Sequence, residues 1–134
     1  MSYVVDTNVI SELARPSPHR GVIQWFATQS TIALSSISVE ELAYGIARAR
    51  APERRRLAPW FEALLAIPAE ILVVDERIAR AAGELRAARE RVGRTVAQAD
   101  MLIAATALVT GRTLVTRNTR DFEGCGATIF DPFV

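Results

Sequence analysis

Short β-branched runs alternate along this chain with longer stretches of helical period, and that order restricts the fold more than any other feature. The runs are Tyr3–Val5, the segment TIALSS from Thr31, Ile71–Val74, Thr113–Thr116 and Ala127–Phe130. Each is short and rich in Val, Ile or Thr, which suits a buried strand. Between the runs, apolar residues recur at helical spacing. Val9, Ile10 and Leu13 share a face of a helix over about Asn8–Ala14, and Val22, Trp25 and Phe26 do so over Gly21–Gln29. A third helix carries Leu42 and Ile46, with Ser38 placed to cap it and Glu41 as its capping-box partner. Pro52 opens a fourth, whose apolar face is Leu57, Trp60, Phe61, Leu64 and Leu65. A long helix runs from Asp75 or Glu76 to about Arg91 and ends at Gly93. The last spans about Ala97–Thr110, with Gly111 placed to stop it. Strands alternating with helices predict βαβ units and an α/β fold with a mainly parallel sheet.

The 134 residues suit one domain spanning 1–134, with no repeat or linker. No apolar run approaches the ~20 residues of a membrane helix, and the start of the chain lacks the features of a secretion signal. The one cysteine, Cys125, cannot form an internal disulfide, which fits a reducing cytoplasm. A net charge of +1 does not announce a polyanion-binding surface. All 16 basic residues are nevertheless arginine, a bidentate phosphate binder, and the densest group is RARAPERRR over 48–56. That group reads as a contact to phosphates or to an acidic partner, or as a solvated helix junction. Trp25, Phe26, Trp60 and Phe61 read as core or as a partner groove.

In parallel sheets ligands bind beyond the carboxyl ends of the strands. Four acids fall there: Asp6 after the first strand, Glu41 in the helix after the second, Asp100 early in the apolar helix AQADMLIAATALV, and Asp121 after the fourth strand. Singly, each has a local reason to be where it is, as an N-cap, a capping-box member, a favourable charge in a first helical turn or a loop starter. Jointly they would crowd four carboxylates onto one rim. Asp100 is the hardest to explain locally, because its helix is apolar almost all round and a buried charge needs a partner or a metal.

Converging carboxylates repel and raise one another's pKa values, and a divalent cation relieves this. An oxygen-only donor set selects Mg²⁺ or Mn²⁺, and the one histidine, His19, lies in the separate SPH loop. A metal held by carboxylates keeps waters, one of which can attack a phosphodiester. Thr7, Asn8, Thr116 and Asn118 flank Asp6 and Asp121, and read either as supports for the acids or as turn and cap residues. Arg15 and Arg117 are the arginines nearest the expected site and are candidates to hold a substrate phosphate.

The segments VVDTNVISEL, SISVEELAYGI, DMLIAATAL and LVTRNTRDFEG, each carrying its acid, resemble the PIN-domain family, and more closely its VapC-type toxins of the FitB-like branch. RPSP and the terminal FDPF fit that branch too, and the similarity runs in order over essentially the whole chain. The resemblance implies an α/β/α sandwich around a parallel sheet and Mg²⁺- or Mn²⁺-dependent endoribonuclease activity as the toxin of a toxin–antitoxin pair. It implies metal-binding roles for Asp6, Glu41, Asp100 and Asp121. It also implies a cognate antitoxin that occupies a groove near the active site and binds operator DNA, and homodimers that pair again through the antitoxin. Departures are Met101 where alanine is usual, AQA before Asp100, and DPF where NPW is common.

A haloacid-dehalogenase-like phosphatase needs a second acid two residues after Asp6, where Asn8 stands, and such sites commonly use a lysine, which this chain lacks. A response-regulator receiver fails on the same grounds. The remaining alternative is a catalytically silent PIN-like module that acts by binding antitoxin or RNA.

Overall fold

The computed structural model describes residues 2–66 and 69–134. Its strands are β1 (Tyr3–Val5), β2 (Ile32–Ser35), β3 (Ala69–Leu72), β4 (Thr113–Val115) and β5 (Ile129–Phe130). Its helices are α1 (Thr7–Leu13), α2 (Arg20–Ala27), α3 (Ser36–Ala47), α4 (Ala51–Ala66), α5 (Glu76–Arg91), α6 (Gln98–Thr110) and α7 (Thr119–Phe122). Every strand pairing is parallel, in two ladders ordered β1-β4-β5 and β2-β3. β2 packs beside β1, which aligns all five strands in the order β5-β4-β1-β2-β3.

Alternate side chains of a strand face opposite ways, and here both ways are buried. Val4 and Leu114 face a cluster built from α5, α6 and Phe122, including Ile78, Met101, Ile103 and Ala104. Val5 and Val115 face the other, built from α1, α2, α3 and α4 through Val9, Ile10, Val22, Leu42 and Leu64. The result is the expected α/β/α sandwich. Trp25, Phe26, Trp60 and Phe61 are half-buried and pack against the second cluster, so they serve mainly as core. Met101 is 1% exposed and packs in the first cluster, well inside the core.

Two local expectations give way. β3 begins and ends two residues before the expected Ile71–Val74. Its ladder partner β2 turns into α3 at Ser36, so after the Ser35–Leu72 pair nothing remains for Val73 to pair with. Val74 instead donates its amide to Ser36 Oγ at 3.3 Å. The cap of α3 is Ser35, not Ser38: Ser35 Oγ accepts from the Ile37 amide, and Ser38 lies fully buried within the helix. The direct strand-to-helix transition moves the helix start upstream and frees both Ser38 and Glu41 from capping. Among the described residues no helix is long and apolar enough to cross a membrane.

Candidate functional site

Asp6 is where β1 stops. Its amide continues the ladder to Val115 O at 2.8 Å, and its carbonyl accepts from the Val9 and Ile10 amides to start α1. Its backbone therefore holds the N-cap position, while its side chain makes no capping hydrogen bond. The register that pairs Val5 with Val115 brings Asp6 beside Thr116, one residue beyond each strand. Thr116 Oγ1 donates to Asp6 Oδ2 at 2.8 Å, and both residues are buried. Thr116 Oγ1 also accepts from the Asn118 amide at 3.0 Å, and Asn118 Nδ2 donates to Asp121 Oδ2 at 2.7 Å. One chain of hydrogen bonds thus links the acid after β1 to the acid after β4.

On the other side, Thr7 Oγ1 lies 2.7 Å from Glu41 Oε1 and 2.8 Å from Ser38 Oγ. A threonine has one hydroxyl proton and an ionised carboxylate only accepts, so Thr7 donates to Glu41 and receives from Ser38. The start of α1 is thereby tied to α3 at the residue that carries the second acid. Asp100 sits in the first turn of α6, whose N-cap, Ala97, offers no side-chain bond. Asp121 rides on α7, a four-residue helix anchored by Phe122, which is 0% exposed. The Arg94 and Arg89 side chains donate to the Arg120 and Asp121 carbonyls at 2.7 and 3.4 Å, bracing this helix from outside.

The four acids feel one another. Burial raises the Asp6 pKa from 3.8 to about 6; the Thr116 hydrogen bond opposes this, the charge of Asp100 adds to it, the Thr7 amide opposes it, and Glu41 adds a little more. Burial also raises Asp100, and the charges of Glu41 and Asp121 push it further the same way. Among the described residues none of the four is in an ion pair with an arginine. The carboxylates stand apart, and no three acid, histidine or cysteine side chains among the described residues are gathered closely enough to hold an ion. In kind, the donor set fits a hard divalent cation: oxygen ligands only, mutually repelling, one of them nearly fully buried.

The other residues singled out in the sequence are placed differently. Asn8 Oδ1 accepts from the Arg117 amide at 3.4 Å and bonds none of the acids. Arg15 is engaged with Glu12 at 3.2 Å. The Arg117 guanidinium lies over the Phe133 ring, 4.6 Å from its centroid. Sequence reasoning passed over Glu12, which is 6% exposed. Its Oε2 accepts from the His19 amide at 2.9 Å and its Oε1 from Arg15, and it shares the inward face of α1 with Val9, three residues before it. That helical spacing was the available signal. Burial pushes the Glu12 carboxyl up, but the His19 amide and Arg15 hold it below its ordinary value.

A cavity of about 370 Å³ opens beside Glu41 between α1, α3 and α4, with Leu42, Ile46, Leu57 and Trp60 in its walls and Arg56 at its rim. Much of the basic group over 48–56 is engaged with the protein itself. Arg56 bonds Glu53 and the Ala14 carbonyl, Arg54 bonds the Ala49 carbonyl, and Arg48 lies over Tyr44.

A PIN domain family model matches residues 3–124. The chain is 38% identical to VapC ribonuclease Y4jK of Sinorhizobium fredii, over 97% of this chain and 96% of that protein. The crystal structure of FitAcB from Neisseria gonorrhoeae superposes with a TM-score of 0.88 at 33% identity, covering 98% of each chain. DNA-bound VapBC from Salmonella typhimurium does so with a TM-score of 0.83 at 31% identity, again over 98% of each.

Proposed function

The chain belongs to the PIN-domain family, and from that premise we propose that it is a VapC-type endoribonuclease, the toxin of a toxin–antitoxin pair, acting in the cytoplasm. One observation carries the reading: carboxylates at the end of β1 and on α3, α6 and α7 act on one another. The charges of Asp100 and Glu41 add to the burial that raises Asp6, and those of Glu41 and Asp121 add to the burial that raises Asp100. Among the described residues none of the four is paired with an arginine. Asp6, Glu41, Asp100 and Asp121 would hold Mg²⁺ or Mn²⁺ there. Such an ion, when bound, makes a water acidic enough to attack an RNA phosphodiester and offsets charge on the phosphate.

The protein's own part is orientation. Thr116 turns Asp6, and the same hydroxyl seats the Asn118 amide so that its side chain can turn Asp121. Thr7 turns Glu41. Removing a support of this kind usually costs 10- to 100-fold, about one to two powers of ten in metal affinity or rate. Thr116→Val keeps the shape and deletes both bonds. It is expected to slow cleavage by about that factor and to push the Asp6 pKa above its present value, since the Thr116 bond holds it down. Rates across metal concentration and a pH titration of unfolding check both effects.

The apolar cavity beside Glu41 is the groove we assign to the cognate antitoxin, whose apolar side chains would fill it and sterically close the rim. Operator DNA would then be bound through the antitoxin, and the toxin would pair as a homodimer. Purified protein freed of antitoxin is expected to cut a structured RNA with Mg²⁺ or Mn²⁺ and to leave it intact in EDTA. Cleavage indifferent to EDTA would sink the reading.

A further inference from the structure

An RNA strand approaching this rim meets carboxylates, so the rim needs a fixed cation as well as a metal. Arg89 and Arg94 are engaged with the carbonyls of α7, and the two arginines that the sequence singles out, Arg15 and Arg117, are separated by their bonding. Arg15 is neutralised by Glu12 at 3.2 Å. The Arg117 guanidinium, among the described residues, makes no hydrogen bond and no ion pair, although its charge reaches Glu12. Each Glu12 oxygen already has a partner, Arg15 on Oε1 and the His19 amide on Oε2, and among the described residues Glu12 makes its ion pair with Arg15 and not with Arg117.

Arg117 is also held in place. Its backbone lies between Thr116, which bonds Asp6, and Asn118, which bonds Asp121. Its amide is gripped by Asn8. Its guanidinium lies over the Phe133 ring, 4.6 Å from the centroid, a contact that fixes the cation without giving its N–H donors a carboxylate or carbonyl partner. Phe133 in turn is anchored on several sides. It packs against the core cluster of α1 and α2, and its ring meets that of His19 at 5.1 Å. Its amide donates to Asp131 Oδ1 at 2.8 Å. The carbonyl of Pro132 lies so close to Gly21 that any side chain there would collide with it.

We propose that Arg117 binds a phosphate of the RNA beside the cleavage site, and that Phe133, from the far end of the chain, is its positioning residue. The proposal rests on the ribonuclease reading. A guanidinium stacked on an aromatic face has lost much of its freedom before RNA arrives, so less is lost when its fork meets a phosphate.

The test is the affinity of the full-length protein for a fluorescent single-stranded RNA in EDTA, measured by anisotropy over a range of salt. Binding without metal needs no cleavage, so it is read separately from the nuclease assay. Arg117→Ala is expected to weaken binding about tenfold and to lower the salt slope by about 0.7, as when one fewer phosphate of a single strand is neutralised. Phe133→Leu keeps an apolar side chain and removes the ring. It is expected to weaken binding in the same direction, to add nothing in the Arg117→Ala background, and to be rescued by Phe133→Tyr. With metal, both variants are expected to raise KM far more than they lower kcat, as loss of uniform binding does. Unchanged affinity and slope in Arg117→Ala overturn the proposal. So does a Phe133→Leu loss that persists in the Arg117→Ala background, because Phe133 would then act through stability alone. Wild-type protein that binds no RNA at any salt in EDTA overturns this proposal, while the function it rests on stands or falls by cleavage of the same RNA with Mg²⁺ or Mn²⁺.

Discussion

Asp6→Asn is expected to abolish metal-dependent RNA cleavage and, in the same molecule, to make the metal-free protein more stable at neutral pH. The amide is nearly the same shape and can still accept the Thr116 hydrogen bond. It cannot carry the charge that holds a divalent ion, so the loss of rate should exceed the roughly 10–100-fold typical of a supporting group. The gain in stability follows from the proton balance. The folded carboxyl titrates near 6 against 3.8 for the unfolded chain, so the folded state binds the proton more tightly. Wild-type stability is therefore highest below the unfolded value and falls as pH rises from about 4 to about 6, after which Asp6 contributes no further change. At about 1.4 kcal/mol per pH unit, that fall is about 3 kcal/mol. Asparagine removes this slope. The variant should match wild type at pH 4 and lead it by up to about 3 kcal/mol above pH 6, measured by denaturant unfolding in EDTA. Added Mg²⁺ or Mn²⁺ should close the gap by stabilising the wild type only. A variant that is inactive and no more stable than wild type at pH 7.5 would show that Asp6 is not strained in the metal-free protein.

The second large effect lies away from the acids. Phe122 is the bulkiest fully buried side chain, and it holds α7, a helix of four residues, against the α5–α6 layer. A helix that short has no stability of its own, so its position depends on that ring, on the two arginine contacts to its carbonyls and on the Asn118 bond to Asp121. Phe122→Ala is expected to cost about 3–5 kcal/mol of folding stability. It should also raise the metal concentration needed for cleavage at temperatures where the variant is still folded, because Asp121 precedes the cavity it leaves. Phe122→Leu, which fills most of the space, should show both effects in weaker form. A destabilised variant with an unchanged metal requirement would detach Phe122 from the placing of Asp121.

Much of this was legible in the residues. Val4 and Val5, with Leu114 and Val115, are apolar on both faces because both faces are covered, and that pattern alone signals a parallel sheet between helical layers. Asp6, Glu41, Asp100 and Asp121 stood out because each follows or opens an apolar element, at the strand ends where such sheets keep their ligands. These are local properties, set by periods of two and 3.6 residues, and a sequence states them directly.

Tertiary structure decided which polar groups meet. The Asp6–Thr116 bond joins residues 110 positions apart, and nothing near either residue announces it. Ser38 reads as a cap until β2 is seen to run straight into α3, which hands the cap to Ser35 and turns Ser38 toward Thr7. Val73 has strand propensity but no partner, since its neighbour strand has already become a helix. Arg15 and Arg117 look equivalent in sequence. Only the packed structure gives one to Glu12 and lays the other on Phe133, because a charge's role depends on which surfaces folding brings within a few ångströms of it.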